Sequence, residues 1–258
     1  MASMPLVTLD IDSDIATITL RRSDKLNSLN TAMIREVGDA LTAGAAASRV
    51  VVLRAEPGVK VFSAGHDLDD VPVHADPHDW DNPVEAVIAG IPALPVPVIA
   101  AVQGTVWGAA CNLVVACDLI VATRDATFAI TPAKLGVPYF RAGLAIFARS
   151  LPLHVAKAMF YTAEPLTAAD AHRYGLVHAL AEDADELAMQ VDRLTRRIAA
   201  LAPLTIRSIK AELDALDGLT DVDEAELEAL RVQAWLSDDV REGVAAFNER
   251  RRPEFRGR

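Results

Sequence analysis

Aromatic residues are scarce in this chain, at 5% of 258 positions, while apolar residues reach 52%. The core must therefore be built mostly from Ala, Val, Leu and Ile. Cysteine is nearly missing: Cys111 and Cys117 lie six apart in an apolar segment, with no His or Cys cluster beside them. A disulfide framework and a metal site are both disfavoured by that spacing. Positive charge is short as well. The formal net charge of −11 argues against a nucleic-acid partner, which needs a concentrated basic surface. The one dense basic run, Arg250-Arg-Arg252, reads either as a solvated tail or as a local contact for a small phosphorylated ligand. No apolar stretch reaches membrane-spanning length, and the start, Met-Ala-Ser-Met-Pro, carries no signal-like core. A soluble cytoplasmic protein with no membrane partner is expected.

What is present is regular alternation of strands, small-residue turns and helices. Val7, Leu9 and Ile11 alternate with polar residues, Asp12-Ser-Asp14 is a turn, and Ile15 to Leu20 returns as the second arm of a hairpin. Asn30 or Thr31 caps a helix with the stripe Met33, Ile34, Val37 and Leu41, and Gly44 is expected to stop it. Val50 to Leu53, Val98 to Val102 and Leu119 to Ala122 are short β-branched runs typical of buried strands. Gly108 to Ala116 is apolar on most faces and predicts a buried helix. Residues 71–83 hold His74, His78, Trp80 and three prolines without a period, and read as a loop or lid. From about Asp183 onward four amphipathic helices follow, over 184–201, 205–216, 222–236 and 238–250, broken at Pro203, Gly218 and Ser237. Their leftover apolar stripes are candidates for subunit contacts.

Two short stretches carry the chemistry. Phe62-Ser-Ala-Gly-His-Asp-Leu68 places three small residues before a histidine, and Gln103-Gly-Thr-Val-Trp-Gly-Ala-Ala-Cys-Asn112 repeats the device. Small residues let a ligand approach the backbone, and the first N–H groups of the helix after Gly108 lack intrahelical acceptors. The N–H groups of His66 and Ala109 are therefore candidate donors to one oxygen, an oxyanion hole. Read singly, each stretch is equally an ordinary tight turn.

Taken together, these stretches resemble the crotonase family, also called the enoyl-CoA hydratase/isomerase family. Lys25-Leu-Asn-Ser-Leu-Asn30 is similar to its early substrate-contact segment, residues 62–68 and 104–118 to its two oxyanion loops, and Thr162 to Val177 to its helix–turn before the tail. The resemblance implies an α/β fold, a spiral of ββα units over residues 1–183, with a C-terminal helical region for oligomerisation over 184–258. It implies homotrimers or dimers of trimers and an acyl-CoA thioester substrate. CoA is then part of the substrate and no cofactor is expected. Backbone groups around Leu26, Ala64, Asp67 and Leu68 would meet the adenine and pantetheine arms, with Lys25 or the C-terminal arginines near the phosphates.

The departures point to the reaction. Hydratases of the family use two glutamates, and the matching positions here are Asn112 and Pro132, neither of which is a general base. Glu85 is a carboxylate elsewhere without a motif to support it. The combination of residues 63–67, Val106-Trp-Gly108, Ile130-Thr-Pro132 and Gly136-Val-Pro-Tyr139 resembles the methylmalonyl-CoA decarboxylases of the family. That resemblance implies roles for His66 and Tyr139, while Thr131, Trp107 and Gly108 complete the substrate wall. Loss of CO2 needs no base. It needs a held oxygen, an oriented carboxylate and little water. Each residue also has a structural reading: Tyr139 as a core aromatic, the His66 ring as a partner of Asp67, Thr131 as a turn former and Lys134 as a surface lysine. Another reaction of the family, or a non-catalytic acyl-CoA-binding protein, are the rival functions.

Overall fold

A computed structural model describes residues 5–71 and 83–258; the candidate lid with His74, His78 and Trp80 lies outside them. The larger sheet has six strands: β1 (Val7–Asp12), β2 (Ile15–Leu20), β3 (Val50–Ala55), β5 (Val98–Val102), β7 (Leu119–Thr123) and β10 (Ala179–Ala181), adjacent in that order. Only the first pair is antiparallel, with Val7 opposite Leu20. The smaller sheet orders β4 (Val61–Ser63), β6 (Thr105–Trp107), β8 (Thr127–Ala129) and β9 (Leu166–Thr167).

The chain alternates between the sheets. A strand in the large sheet is followed by one in the small sheet and then by a helix: β3, β4 and α2 (Pro83–Gly90); β5, β6 and α3 (Ala109–Val115); β7, β8 and α4 (Pro132–Leu135). Three such turns make the expected ββα spiral. The central strands are apolar without alternation because both of their faces are covered. Val51, Leu53, Ala100, Val102, Ile120 and Ala122 face the main core, shared with α1 (Thr31–Ala47) and α3. Val50, Val52, Ile99, Ala101 and Val121 face Leu187 and Val191 of α8 (Ala184–Ala199).

Gly44 does not end α1, which continues to Ala47. The glycine serves close packing instead, since a Cβ there would lie 3.1 Å from the Ala16 Cβ and 3.4 Å from Leu9 Cδ1. Between the spiral and the tail lie α5 (Arg141–Ser150), α6 (Leu153–Thr162) and α7 (Ala168–Arg173). The tail then adds α9 (Pro203–Leu216), α10 (Glu224–Leu236) and α11 (Asp238–Glu249). Asp183 and Asp223 cap α8 and α10 by accepting the N–H groups of Glu186 and Glu226. The basic run is not an open cationic patch at its centre. The Arg251 guanidinium is taken by Glu242, at 2.6 and 2.8 Å, and by Glu249, at 2.6 Å. Among the described residues, no helix is long and apolar enough to cross a membrane.

A buried ion cluster ties α9 to the spiral. Lys210 is 7% exposed, and its Nζ donates to Asp118 and, at 3.1 Å, to Asp214. Asp118 also accepts the Val98 N–H at 2.6 Å, at the first residue of β5. Burial pushes the Asp214 carboxyl up, and the Lys210 charge opposes that rise. Replacing Lys210 by Met leaves two carboxylates facing each other without their cation. A loss of stability is expected, smaller than the about 3–5 kcal/mol of a fully buried pair because Asp118 is partly exposed, read as a lower urea midpoint.

Candidate functional site

The small sheet positions the site. β4 pairs in parallel with β6, with Val61 opposite Thr105, and β6 pairs with β8, with Trp107 opposite Ala129. Their C-terminal ends therefore deliver residues 63–66, 107–109 and 130–131 side by side. Gly65 has φ +85°, and a Cβ there would lie 2.4 Å from the Trp107 carbonyl oxygen and 3.1 Å from the Ala109 nitrogen. The two turns thus meet backbone to backbone at a residue that has no side chain.

The first turn is held from below by Asn27, which is fully buried. Its Nδ2 donates to the Phe62 carbonyl at 2.9 Å, its Oδ1 accepts the Arg22 N–H at 2.8 Å, and its own carbonyl accepts the Ser63 hydroxyl at 2.6 Å. Leu29 then makes a parallel bridge with His66: the Leu29 N–H donates to the Gly65 carbonyl at 2.7 Å, and the Asp67 N–H donates to the Leu29 carbonyl at 3.1 Å. Because these bonds come from the residues on either side of His66, the His66 N–H is directed away from Leu29. In the second turn Gly108 has φ +53° and donates its N–H to the Ala129 carbonyl at 2.8 Å. Ala109 follows as the first residue of α3, a position whose N–H has no acceptor within its helix.

Both turns open onto a cavity of about 750 Å³, a size suited to a small-molecule ligand. Of the candidate residues, Ala64, His66, Asp67, Leu68, Trp107, Gly108, Ala109, Thr131 and Tyr139 all line it. Lys25 and Leu26 do not; they sit on the turn anchored by Asn27, where the Leu26 carbonyl accepts the Ala64 N–H at 2.9 Å. The N–H groups of Ala64 and Asp67 are thus committed to the scaffold, as is the Asp67 carbonyl, which accepts the Asp70 N–H at 3.1 Å. Lys134, read as a surface lysine, also faces the cavity, as does Glu85 of α2.

Two contacts were invisible in the sequence. Asp67 is paired with Arg22, Nη1 to Oδ2 at 2.7 Å, and Arg22 also reaches Ser28. The guanidinium holds the Asp67 carboxyl below the usual carboxylate range, so it remains an anion fixed in the wall. The Tyr139 hydroxyl donates to Asn112 Oδ1, and Asn112 Nδ2 donates to the Gly143 carbonyl at 2.9 Å. The Tyr139 proton is thus engaged by Asn112. The ring is further fixed by an edge contact with Phe160, centroids 5.1 Å apart, and by Gly143, where a Cβ would lie 2.9 Å from the Tyr139 Cε1.

The protonation states follow from burial. Desolvation pushes the His66 imidazole below its ordinary 6.5, against the opposing charges of Asp70 and Asp67; the ring is neutral at pH 7. Desolvation pushes the Tyr139 hydroxyl upward, and the thiol of Cys111 likewise. Among the described residues there is no cluster of three or more His, Cys, Asp or Glu able to hold a metal. Substitution of Gly65 by Ala must push the two turns apart. The Gly65→Ala protein is expected to lose about 1–3 kcal/mol of stability, the usual cost of overpacking, read as a lower urea midpoint.

Comparison with known proteins agrees with this geometry. The family model described as enoyl-CoA hydratase/isomerase matches residues 10–258. The chain is 36% identical to the methylmalonyl-CoA decarboxylase of Escherichia coli (strain K12) over 248 residues, covering 94% of this chain and 95% of that one. It superposes on a solved methylmalonyl-CoA decarboxylase in complex with 2-nitronate-propionyl-CoA with a TM-score of 0.80, at 33% identity over 99% of this chain and 100% of the other. An enoyl-CoA hydratase/carnithine racemase from Magnetospirillum magneticum gives a TM-score of 0.89 at 31% identity, covering 99% and 97%. With its ββα spiral and paired turns, the chain belongs to the enoyl-CoA hydratase/isomerase, or crotonase, family.

Proposed function

We propose that this protein is a carbon–carbon lyase that decarboxylates methylmalonyl-CoA, or a close malonyl-type acyl-CoA, to propionyl-CoA and CO2. The observation that carries this reading is what fills the two positions of the hydratase glutamates. Asn112 is buried and has both ends of its amide occupied, by Tyr139 and Gly143. Pro132 is the first residue of α4 and has no functional group. Neither can take a proton from water or from an α-carbon. The similarity to methylmalonyl-CoA decarboxylases supports the same choice, and the comparable similarity to hydratases makes these two positions decisive.

In the proposed reaction the thioester oxygen is bound by the N–H groups of His66 and Ala109. The bond from the α-carbon to the carboxylate breaks, its electrons pass into the enolate, and the two donors hold the charge that develops on oxygen. Loss of one such donor costs about 100- to 1000-fold in rate in comparable sites. The substrate carboxylate lies near Thr131 and the neutral His66 ring. Few donors there are an advantage, since a carboxylate held too firmly is stabilised in the ground state. Trp107, Val137 and Phe140, all on the cavity wall, keep water from the reacting bond. Tyr139 is a positioning residue: through Asn112 and Phe160 it fixes the wall against which the acyl group packs. Lys25 and Leu26, outside the cavity, flank the nucleotide end of CoA.

Purified protein given methylmalonyl-CoA without added metal is expected to release propionyl-CoA, seen by mass spectrometry, and to hydrate crotonyl-CoA poorly. Brisk hydration with no propionyl-CoA would sink the proposal. The Tyr139→Phe protein leaves the buried Asn112 Oδ1 without its donor. It is expected to lose about 1–3 kcal/mol of stability in thermal unfolding and to decarboxylate more slowly.

A homotrimer or a dimer of trimers is proposed on the exposed apolar residues of the tail. Leu216, Trp235 and Phe247 are 82%, 76% and 84% exposed in the single chain, more than isolated surface residues need. Light scattering is expected to give three or six times the chain mass of 27.6 kDa; a monomer would overturn this assembly.

A further inference from the structure

We propose that Glu85 is the acid that delivers a proton to the α-carbon after CO2 has left, a role that rests on the proposed decarboxylation. Once Asn112 and Pro132 replace the glutamates of hydratases, the enolate still needs a proton source. Among the described residues only two carboxylate side chains line the cavity, Asp67 and Glu85. Asp67 is bound by Arg22 at 2.7 Å, by the Ser28 hydroxyl at 3.3 Å and by the Asp69 N–H at 3.3 Å. An anion so well paired does not serve as an acid. Glu85 makes no hydrogen bond and no ion pair among the described residues. It projects from the first turn of α2, and Val84 and Ile88 of the same helix also line the cavity.

Glu85 and Tyr139 line the same cavity. Glu85 is exposed in the single chain, and the partial desolvation it meets raises its carboxyl from the ordinary glutamate value. The bound substrate carboxylate adds a second anion, and a like charge raises the pKa further. Substrate binding thereby loads the proton that the second half of the reaction consumes. The balance is complete. The α-carbon gives up CO2 and keeps the electron pair, Glu85 transfers its carboxyl proton to that carbon, and the resulting carboxylate regains a proton from water. The departure of CO2 also clears the position from which the α-carbon is protonated.

The step can be read in reverse without decarboxylation, as exchange of the α-hydrogens of propionyl-CoA in D2O, followed by mass spectrometry. The unaltered protein is expected to introduce deuterium. Glu85→Gln is expected to slow this by about 100-fold, the scale of general acid–base catalysis, and Glu85→Asp to restore part of the rate. Calorimetric binding of propionyl-CoA reports whether each variant keeps its site. Exchange by Glu85→Gln at the unaltered rate overturns the proposal, as does absence of exchange with the unaltered protein. Should Glu85→Gln fail to bind, the aspartate variant decides: a reduced rate at saturation supports the role and an equal rate overturns it. Failure to make propionyl-CoA from methylmalonyl-CoA would sink the decarboxylation instead, and the exchange assay reads Glu85 separately.

Discussion

The site depends on one backbone contact. Gly65 lies against the Trp107 carbonyl and the Ala109 nitrogen at a distance that admits no side chain. That contact brings the turn after β4 and the turn after β6 under one cavity, and every other feature of the region supports it. Asn27 pegs the first turn from beneath, Leu29 fixes the orientation of the His66 peptide, and the Gly108 N–H is held by Ala129. Most of these bonds are made by main-chain groups in the turns and at the strand ends. Their donors are fixed before any ligand arrives, and fixed donors need no reorganisation when charge develops on an oxygen.

Apart from Glu85, Lys134 and Arg149, the titratable groups that line the cavity are paired or neutral. Asp67 is neutralised by Arg22, His66 is held neutral by desolvation, and Tyr139 and Asn112 satisfy each other. Such a wall suits a substrate that brings its own anion and loses it. A carboxylate entering an apolar cavity is destabilised relative to water, whereas CO2 leaving it is not.

Much of the architecture was legible in the sequence. The hairpin, the buried strands and the four tail helices follow from hydrophobic period and capping residues, and the two turns follow from their small residues. The short strands of the small sheet were not legible, because three residues carry no period. Gly44 was misread as a helix end because a glycine at a crowded helix–strand contact has the same local signature as a terminator. The role of Asn27 was hidden inside a segment matched to a family motif, where it reads as a ligand contact rather than a peg. Arg22 with Asp67, and Tyr139 with Asn112, are single contacts between residues 45 and 27 apart. Nothing in either local sequence announces its partner.

The occupied amide of Asn112 also bears on how reactions diverge within one fold. A glutamate at that position has no N–H to give the Gly143 carbonyl, and as an anion it would confront a carbonyl dipole in a buried place. Gaining a base there therefore disturbs the seating of α5 and of the ring beneath it at the same time. A base at position 112 therefore calls for changes in its surroundings as well as the substitution itself.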